Sequence, residues 1–413
     1  MMASRANDDD WVDPPVANLS DRWRSRLDTD GKGKACKTLT NLRTMLAHHP
    51  RYAGTLRFNK FTSIAELDGR ALVDNDAVEA CLIAEASGIS GFNPRALGPV
   101  LDYVAAQNAY DPQADYVHAL HWDGKHRIDS WLSDYMGVAP SEYVTQVGSK
   151  WLVAGIARAL DPGCKSDSVL TLEGPQDLGK SAALRAIAGD KWFGEHMADL
   201  KNQGRLIETM LGKWVVEFAE LAAVSRSDIE AVKAIITTQV DAYRMAYARH
   251  KVDFPRRCVF AATVNPHAGG GYLVDETGNR RFWIVTCTKA RVDALRADRD
   301  QLWAEARERY LIDRCWWLVG DVREAAKDVQ AERVTTDPWV DTFADPERLD
   351  RTRAYTAAEA LIAIGVPHER HNKMMANRAG AALRANGWER SLIRAGSVVQ
   401  RRWRHADFDA GVI

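Results

Sequence analysis

The sequence predicts an α/β protein whose middle is a sheet joined by crossover connections, with a mainly helical region before it and a small helix-and-hairpin unit after it. Three observations carry this. Between residues 139 and 334, short apolar runs alternate with helical stretches; a glycine-rich turn ending in Lys-Ser lies between one such run and a helix; and residues 352–413 pass from two helical periods to two strand-like runs.

Residues 1–34 are polar and broken by Pro14, Pro15, Gly31 and Gly33, a flexible tail anchored by Trp11 and Trp23. Residues 35–138 form the mainly helical region. Within 64–123, ten acidic residues face only Arg70 and Arg95, a surface that should repel nucleic acid. A helical period over 143–160 (Val144, Val147, Trp151, Ala154, Ile156) stops at Asp161-Pro162-Gly163, which places a domain boundary near 138. The core, 139–334, contains strand-like runs at 169–172, 214–218, 258–264 and 282–286, then a helical stretch over 289–332 whose Trp303, Trp316 and Trp317 read as core. Residues 335–351 read as a linker and 352–413 as the C-terminal unit.

Lys and Arg total 55 against 56 Asp and Glu, a net charge of −1, which excludes a uniformly basic DNA-coating protein. Six scattered cysteines form neither a CxxC pair nor a dense disulfide framework, so a reduced compartment is expected. Asp8, Asp9 and Asp10 stand where a secretory signal would be basic and then apolar, and no apolar run approaches membrane-spanning length. The expectation is a soluble cytoplasmic protein.

Gly174-Pro175-Gln176-Asp177-Leu178-Gly179-Lys180-Ser181 fits G-x-x-x-x-G-K-[ST], with an apolar run before it and a helix over 182–188 after it. The chemistry needs this order, because glycines let backbone N–H groups curl around phosphates while the helix N-terminus adds partial positive charge. This is the signature of a P-loop NTPase. Lys180 would reach the β/γ-phosphates of ATP and Ser181 would hold Mg²⁺. A carboxylate is also required at the end of a neighbouring strand. Trp214-Val215-Val216-Glu217-Phe218-Ala219-Glu220 supplies two: Glu217 as a metal ligand and Glu220 as the base polarising the lytic water, with the roles exchangeable. The run 259–264 ends in Asn265, an amide placed to orient water or touch the γ-phosphate as a sensor.

From 242 to 281, seven basic residues stand against three acids. Arg280 and Arg281, on a Gly-Asn turn entering a strand, are candidate arginine fingers supplied to a neighbouring subunit. Arg249-His250-Lys251 lies in a tyrosine-bearing loop that could grip a phosphate backbone, or could be a basic hairpin pairing with the acidic region. Both readings stay open. His118, His121 and His126 cluster without a convincing further ligand, so packing or hydrogen bonding is their default reading.

Together with Trp122-Asp123-Gly124…Arg127, Pro162-Gly163, Lys233, Asp241…Tyr243-Arg244…Tyr247, Pro255-Arg256, Thr263…Asn265 and Thr277-Gly278-Asn279-Arg280-Arg281-Phe282-Trp283, these motifs resemble the virulence-associated E family over roughly residues 110–290. The resemblance implies a P-loop ATPase of phages and mobile elements, similar in its AAA+-like core to superfamily 3 helicases. Those enzymes form hexameric rings around single-stranded DNA and pass arginine fingers between subunits. It implies Mg-ATP at Lys180 and Ser181, an acidic pair at Glu217 and Glu220, a sensor at Asn265, and DNA at Arg249 or Lys251. One departure is Asp177, where the family commonly has glycine. No primase carboxylate motif precedes the core, so priming would belong to a partner.

Residues 366–404 carry nine basic residues against Glu369 and Glu389. Two helices and a hairpin turning at Ala395-Gly396 suit a winged-helix DNA binder with Arg401, Arg402 and Arg404 on phosphates; an oligomerisation or capping domain is the alternative. The functional expectation is an ATP-hydrolysing, ring-forming motor on single-stranded or replication-origin DNA. The alternative is a nucleotide-dependent DNA-binding regulator that does not unwind.

Overall fold

The computed structural model describes residues 19–195, 203–219, 226–244, 251–265, 272–273, 278–334, 337–395 and 398–408. The chain divides into two compact units: Met1–Pro266 with Arg280–Lys327, and His267–Asn279 with Asp328–Ile413. The boundary expected near 138 does not divide it.

The N-terminal part of the first unit contains α1 (Leu39–His48), β1 (Leu56–Asn59), β2 (Ile64–Leu67), β3 (Arg70–Ala71), α2 (Asp74–Ala86), α3 (Pro94–Gln107), β4 (Ala109–Tyr110), α4 (Pro112–Ala119), α5 (Trp131–Met136) and α6 (Glu142–Leu160). Helices dominate, as expected, but a small sheet in the order β3-β2-β1-β4 accompanies them. Thr38, Asn93, Asp111 and Ser141 each cap a helix by accepting an N–H from the first turn. Trp23, expected as an anchor of the N-terminal tail, is buried in one apolar cluster with Leu42, Met45, Tyr52 and Leu101.

The main sheet is built from β5 (Val169–Glu173), α7 (Lys180–Ala188), β6 (Phe193–Gly194), α8 (Gln203–Met210), β7 (Val215–Phe218), α9 (Arg226–Thr237), β8 (Val240–Tyr243), β9 (Val252–Pro255), β10 (Val259–Val264) and β11 (Phe282–Thr286). Its order is β11-β5-β10-β7-β6 and every pairing is parallel. β5, β7 and β10 are buried at every position, which is why they read as continuous apolar runs rather than alternating ones. The strands β8 and β9 stand apart as an antiparallel hairpin. Helices α10 (Val292–Asp313) and α11 (Gly320–Ala331) follow. Trp303 on α10 is fully buried and stacks on Trp214 at 4.1 Å, whereas Trp317, expected in the core, is exposed.

Buried polar contacts join α10 to the segment between α4 and α5. Glu305, 1% exposed, accepts hydrogen bonds from the N–H groups of Arg127 and Ile128 and pairs with Arg309, and Tyr135 donates to Asp298. The Trp122-Asp123-Gly124…Arg127 motif is therefore a packing device: Arg127 forks onto Asp123 and its backbone is held by α10. His126 lies 3.0 Å from Glu305, and no group of three or more metal-ligating side chains occurs among the described residues.

In the second unit, α12 (Pro338–Ala344), α13 (Ala357–Ala363), α14 (Lys373–Ala385), β12 (Glu389–Ala395) and β13 (Val398–Arg404) share one core of Phe343, Leu349, Leu361, Leu383, Trp388 and Trp403. The expected linker 335–351 is corrected here. Its Phe343 and Leu349 are buried because α12 packs on α14. The two helices and the hairpin fall where the sequence placed them.

The base of the β8–β9 hairpin rests on a buried ion pair. Arg256, 5% exposed, donates Nε and Nη2 to the two oxygens of Asp241, also 5% exposed, and Gly163 N and Arg158 Nη1 both donate to its carbonyl. Replacing Asp241 with Ala strands a buried guanidinium, so Asp241→Ala should cost about 3–5 kcal/mol in urea-unfolding measurements.

Candidate functional site

The connections leaving β5 and β10 run in opposite directions, towards β6 and towards β11, which makes the carboxyl ends of these strands the switch point of the sheet. The 174–181 loop leaves β5 at that point and enters α7. Gly174 is required there, since a Cβ would sit 2.7 Å from the Cys287 carbonyl oxygen, and Gly179 caps α7 at φ 92°. Gly174, Leu178 and Gly179 are wholly or partly buried, while Pro175, Gln176 and Asp177 are exposed at the rim.

Lys180, on the first turn of α7, is 6% exposed. Its Nζ donates to the carbonyls of Gly174 at 2.7 Å and Pro175 at 2.6 Å, and to Asn265 Oδ1 at 2.9 Å. Burial pushes this ammonium down from the ordinary lysine range, and the charges of Glu217 and Asp177 act against that. Asn265 reaches Lys180 because β10 pairs directly with β5, in register from Phe260–Val169 to Val264–Glu173.

On the other side of β10, Glu217 of β7 is fully buried, opposite Ala261 in the ladder. Ser181 and Thr263 both donate to its Oε1 at 2.7 Å. Its Oε2 is buried and has no hydrogen-bond partner among the described residues. A carboxylate buried in this way is costly unless something completes its coordination. Serine hydroxyl, carboxylate oxygen and a lysine at a helix N-terminus form a hard-oxygen and cationic donor set, and they fit Mg²⁺ with a polyphosphate.

Three of the predicted polar residues, Lys180, Ser181 and Glu217, thus meet with Asn265 across three adjacent strands. Thr263, part of the motif with Asn265 but given no role from the sequence, is the further residue of the site; its signal was a hydroxyl inside an otherwise apolar strand two positions before Asn265. Glu220 and Arg249 lie outside the described residues. Lys251 is exposed just before β9. Arg280 is exposed and Arg281 half-buried on the turn Asn279–Arg281 that enters β11.

The three hairpin arginines are not one surface. Strand alternation puts Arg401 on the opposite face of β13 from Arg402 and Arg404. Arg402 is half-buried and donates to the Ala354 carbonyl at 3.0 Å and to Glu359, fastening the hairpin to the start of α13, while Arg401 and Arg404 are exposed.

A parallel α/β sheet with a glycine-rich loop and a buried carboxylate at its switch point is the class these features define. The model of the virulence-associated protein E-like domain matches residues 117–335, just over half of the chain, and the chain belongs to that family. Solved structures of the apo NrS-1 C-terminal region are similar at 12% identity over 70% of this chain and 78% of that one, with a TM-score of 0.44. Two structures of its A form reach 0.41 and 0.40 over the same shares. No curated protein matches the chain. Among the described residues, no helix is long and apolar enough to cross a membrane.

Thr263→Val removes one of two hydrogen bonds to a buried carboxylate and should lower the stability of the ligand-free protein by about 1–2 kcal/mol in urea titration. Glu217→Gln keeps an acceptor for both hydroxyls and removes the buried charge. In the same titration it should be at least as stable as the wild type.

Proposed function

We propose that the protein is an ATP-hydrolysing, DNA-associated motor of a phage or mobile element, resembling a superfamily 3 replicative helicase. The observation that carries this is the buried, half-satisfied Glu217 carboxylate held by Ser181 beside a lysine at a helix N-terminus. Because Ser181 and Thr263 both occupy Oε1, the carboxylate is oriented with Oε2 left to offer. Residues 174–181 would hold the phosphates, with Lys180 on the β/γ pair and Ser181 with Glu217 on Mg²⁺. Bound there, the metal supplies charge neutralisation and orientation of the phosphates.

Lys180 is preset for this role. Its three partners are neutral oxygens, which hold the ammonium in place without cancelling its charge. Asn265 links the loop to β10, so it can sense the γ-phosphate through the same contact. Glu220 follows β7 by two residues and is the candidate base. Arg280 and Arg281 are the candidate fingers for a neighbouring subunit of a homo-oligomeric ring, hexameric by analogy. Single-stranded or origin DNA would meet Arg249 and Lys251 at the hairpin, and Arg401 and Arg404 in the winged-helix-like C-terminal unit; Arg402 is engaged internally.

Lys180→Ala should abolish ATP hydrolysis while the circular-dichroism spectrum stays native, and sustained turnover in that variant would sink the site assignment. Strand displacement with and without ATP separates a motor from a regulator that binds but never unwinds. Arg401→Ala and Arg404→Ala, made separately because the two lie on opposite faces of β13, assign the DNA-facing side: the variant on that side should weaken DNA binding and reduce its salt dependence by about one phosphate contact, read as the slope of log affinity against log salt.

A further inference from the structure

The loop holds one residue that the chemistry above does not use. Asp177 sits at φ 60°, in the left-handed region that glycine occupies freely and that few other residues visit. It is exposed at the rim and makes no hydrogen bond or ion pair with any described residue. Its charge is nevertheless felt at Lys180, where it favours the ammonium form. A relaxed loop would place glycine here. What this chain has instead is an unneutralised carboxylate at the entrance to an anion site.

We propose that Asp177 is a charge-selectivity residue for the nucleotide: it disfavours a metal-free polyphosphate and admits the same nucleotide once a divalent cation has removed part of its charge. This rests on reading residues 174–181 as the phosphate site. The repulsion scales with ligand charge, so it separates the two forms of one nucleotide, which size or shape could not do. At about 7 Å in a water-like dielectric, each charge removed from the ligand changes affinity about threefold. The loss of two charges on metal binding therefore gives a discrimination of about tenfold. Lys180 lies deeper, and its attraction scales with the same ligand charge in the opposite sense, so the rim carboxylate offsets the preference for the metal-free form that the lysine alone would give.

The test is titration of the full chain with a fluorescent ATP analogue, in excess MgCl₂ and in EDTA, for the wild type, Asp177→Asn, Asp177→Gly and Lys180→Ala. Asparagine tolerates the left-handed backbone and removes only the charge; glycine removes the charge and relaxes the backbone. Asp177→Asn should tighten binding of the metal-free analogue about tenfold more than it tightens binding of the magnesium complex, the difference shrinking as salt is raised. An unchanged ratio of the two affinities in Asp177→Asn overturns the proposal. So does an effect seen in Asp177→Gly alone, which would make the residue a source of backbone strain. Lys180→Ala reads the underlying assignment separately: if it binds as tightly as the wild type, the loop is not the phosphate site, whatever position 177 does.

Discussion

The candidate site depends on one buried carboxylate. Glu217 is fully enclosed by the sheet, and hydroxyls from two different elements converge on one of its oxygens. Ser181 comes from the helix after β5 and Thr263 from β10, so the two hydrogen bonds tie three neighbouring strands at their carboxyl ends. The same convergence leaves the second oxygen unmet. Under the proposed reading, stability and function pull against each other here: a neutral side chain would sit more comfortably, while an anion would attract the proposed cation to this point.

Much of this was legible in the sequence because it is local. The glycine spacing of 174–181, and each of the apolar runs that became β5, β7, β10 and β11 with the polar residues at its end, is a signal only a few positions long. What could not be read was order in space. Nothing in the runs themselves says that β10 lies between β5 and β7, and without that, Thr263 has no reason to be near Glu217. The two-residue β3, β4 and β6 are too short to leave a pattern. The 335–351 segment looked like a linker from its polar residues, but the buried side chains of Phe343 and Leu349 decide its fate. Arg401, Arg402 and Arg404 looked like one basic patch because they are close in number, whereas a strand's alternation sends neighbours to opposite faces.

The charge pattern also changes meaning. The acidic stretch 64–123 suggested a surface that repels nucleic acid, yet several of its members are committed to partners inside the first unit. Arg51 pairs with both Asp68 and Glu79, Arg70 with the buried Asp76, and Arg257 with Asp111 at 2.7 Å. Arg70 holds the Asp76 carboxyl below the usual carboxylate range. Arg256 and Arg257, counted among the basic residues of 242–281, are spent in ion pairs. The net charge of −1 therefore records, in part, charges matched within one unit.

The strand order has a further consequence for how the protein is made. β5 is the first long strand of the main sheet to leave the ribosome, and both strands that flank it, β10 and β11, come later. Lys180 and Asn265 are 85 residues apart, an interval of about 4–17 s at ordinary elongation rates of about 5–20 residues per second. During that time a strand that is buried at every position in the finished fold has no pairing partner on either edge. Helix α6, made just before it and packed against it in the finished fold, is the element available to shield it. A nascent chain stopped before residue 259 would carry the entire glycine-rich loop and still lack the strand that joins it to Glu217.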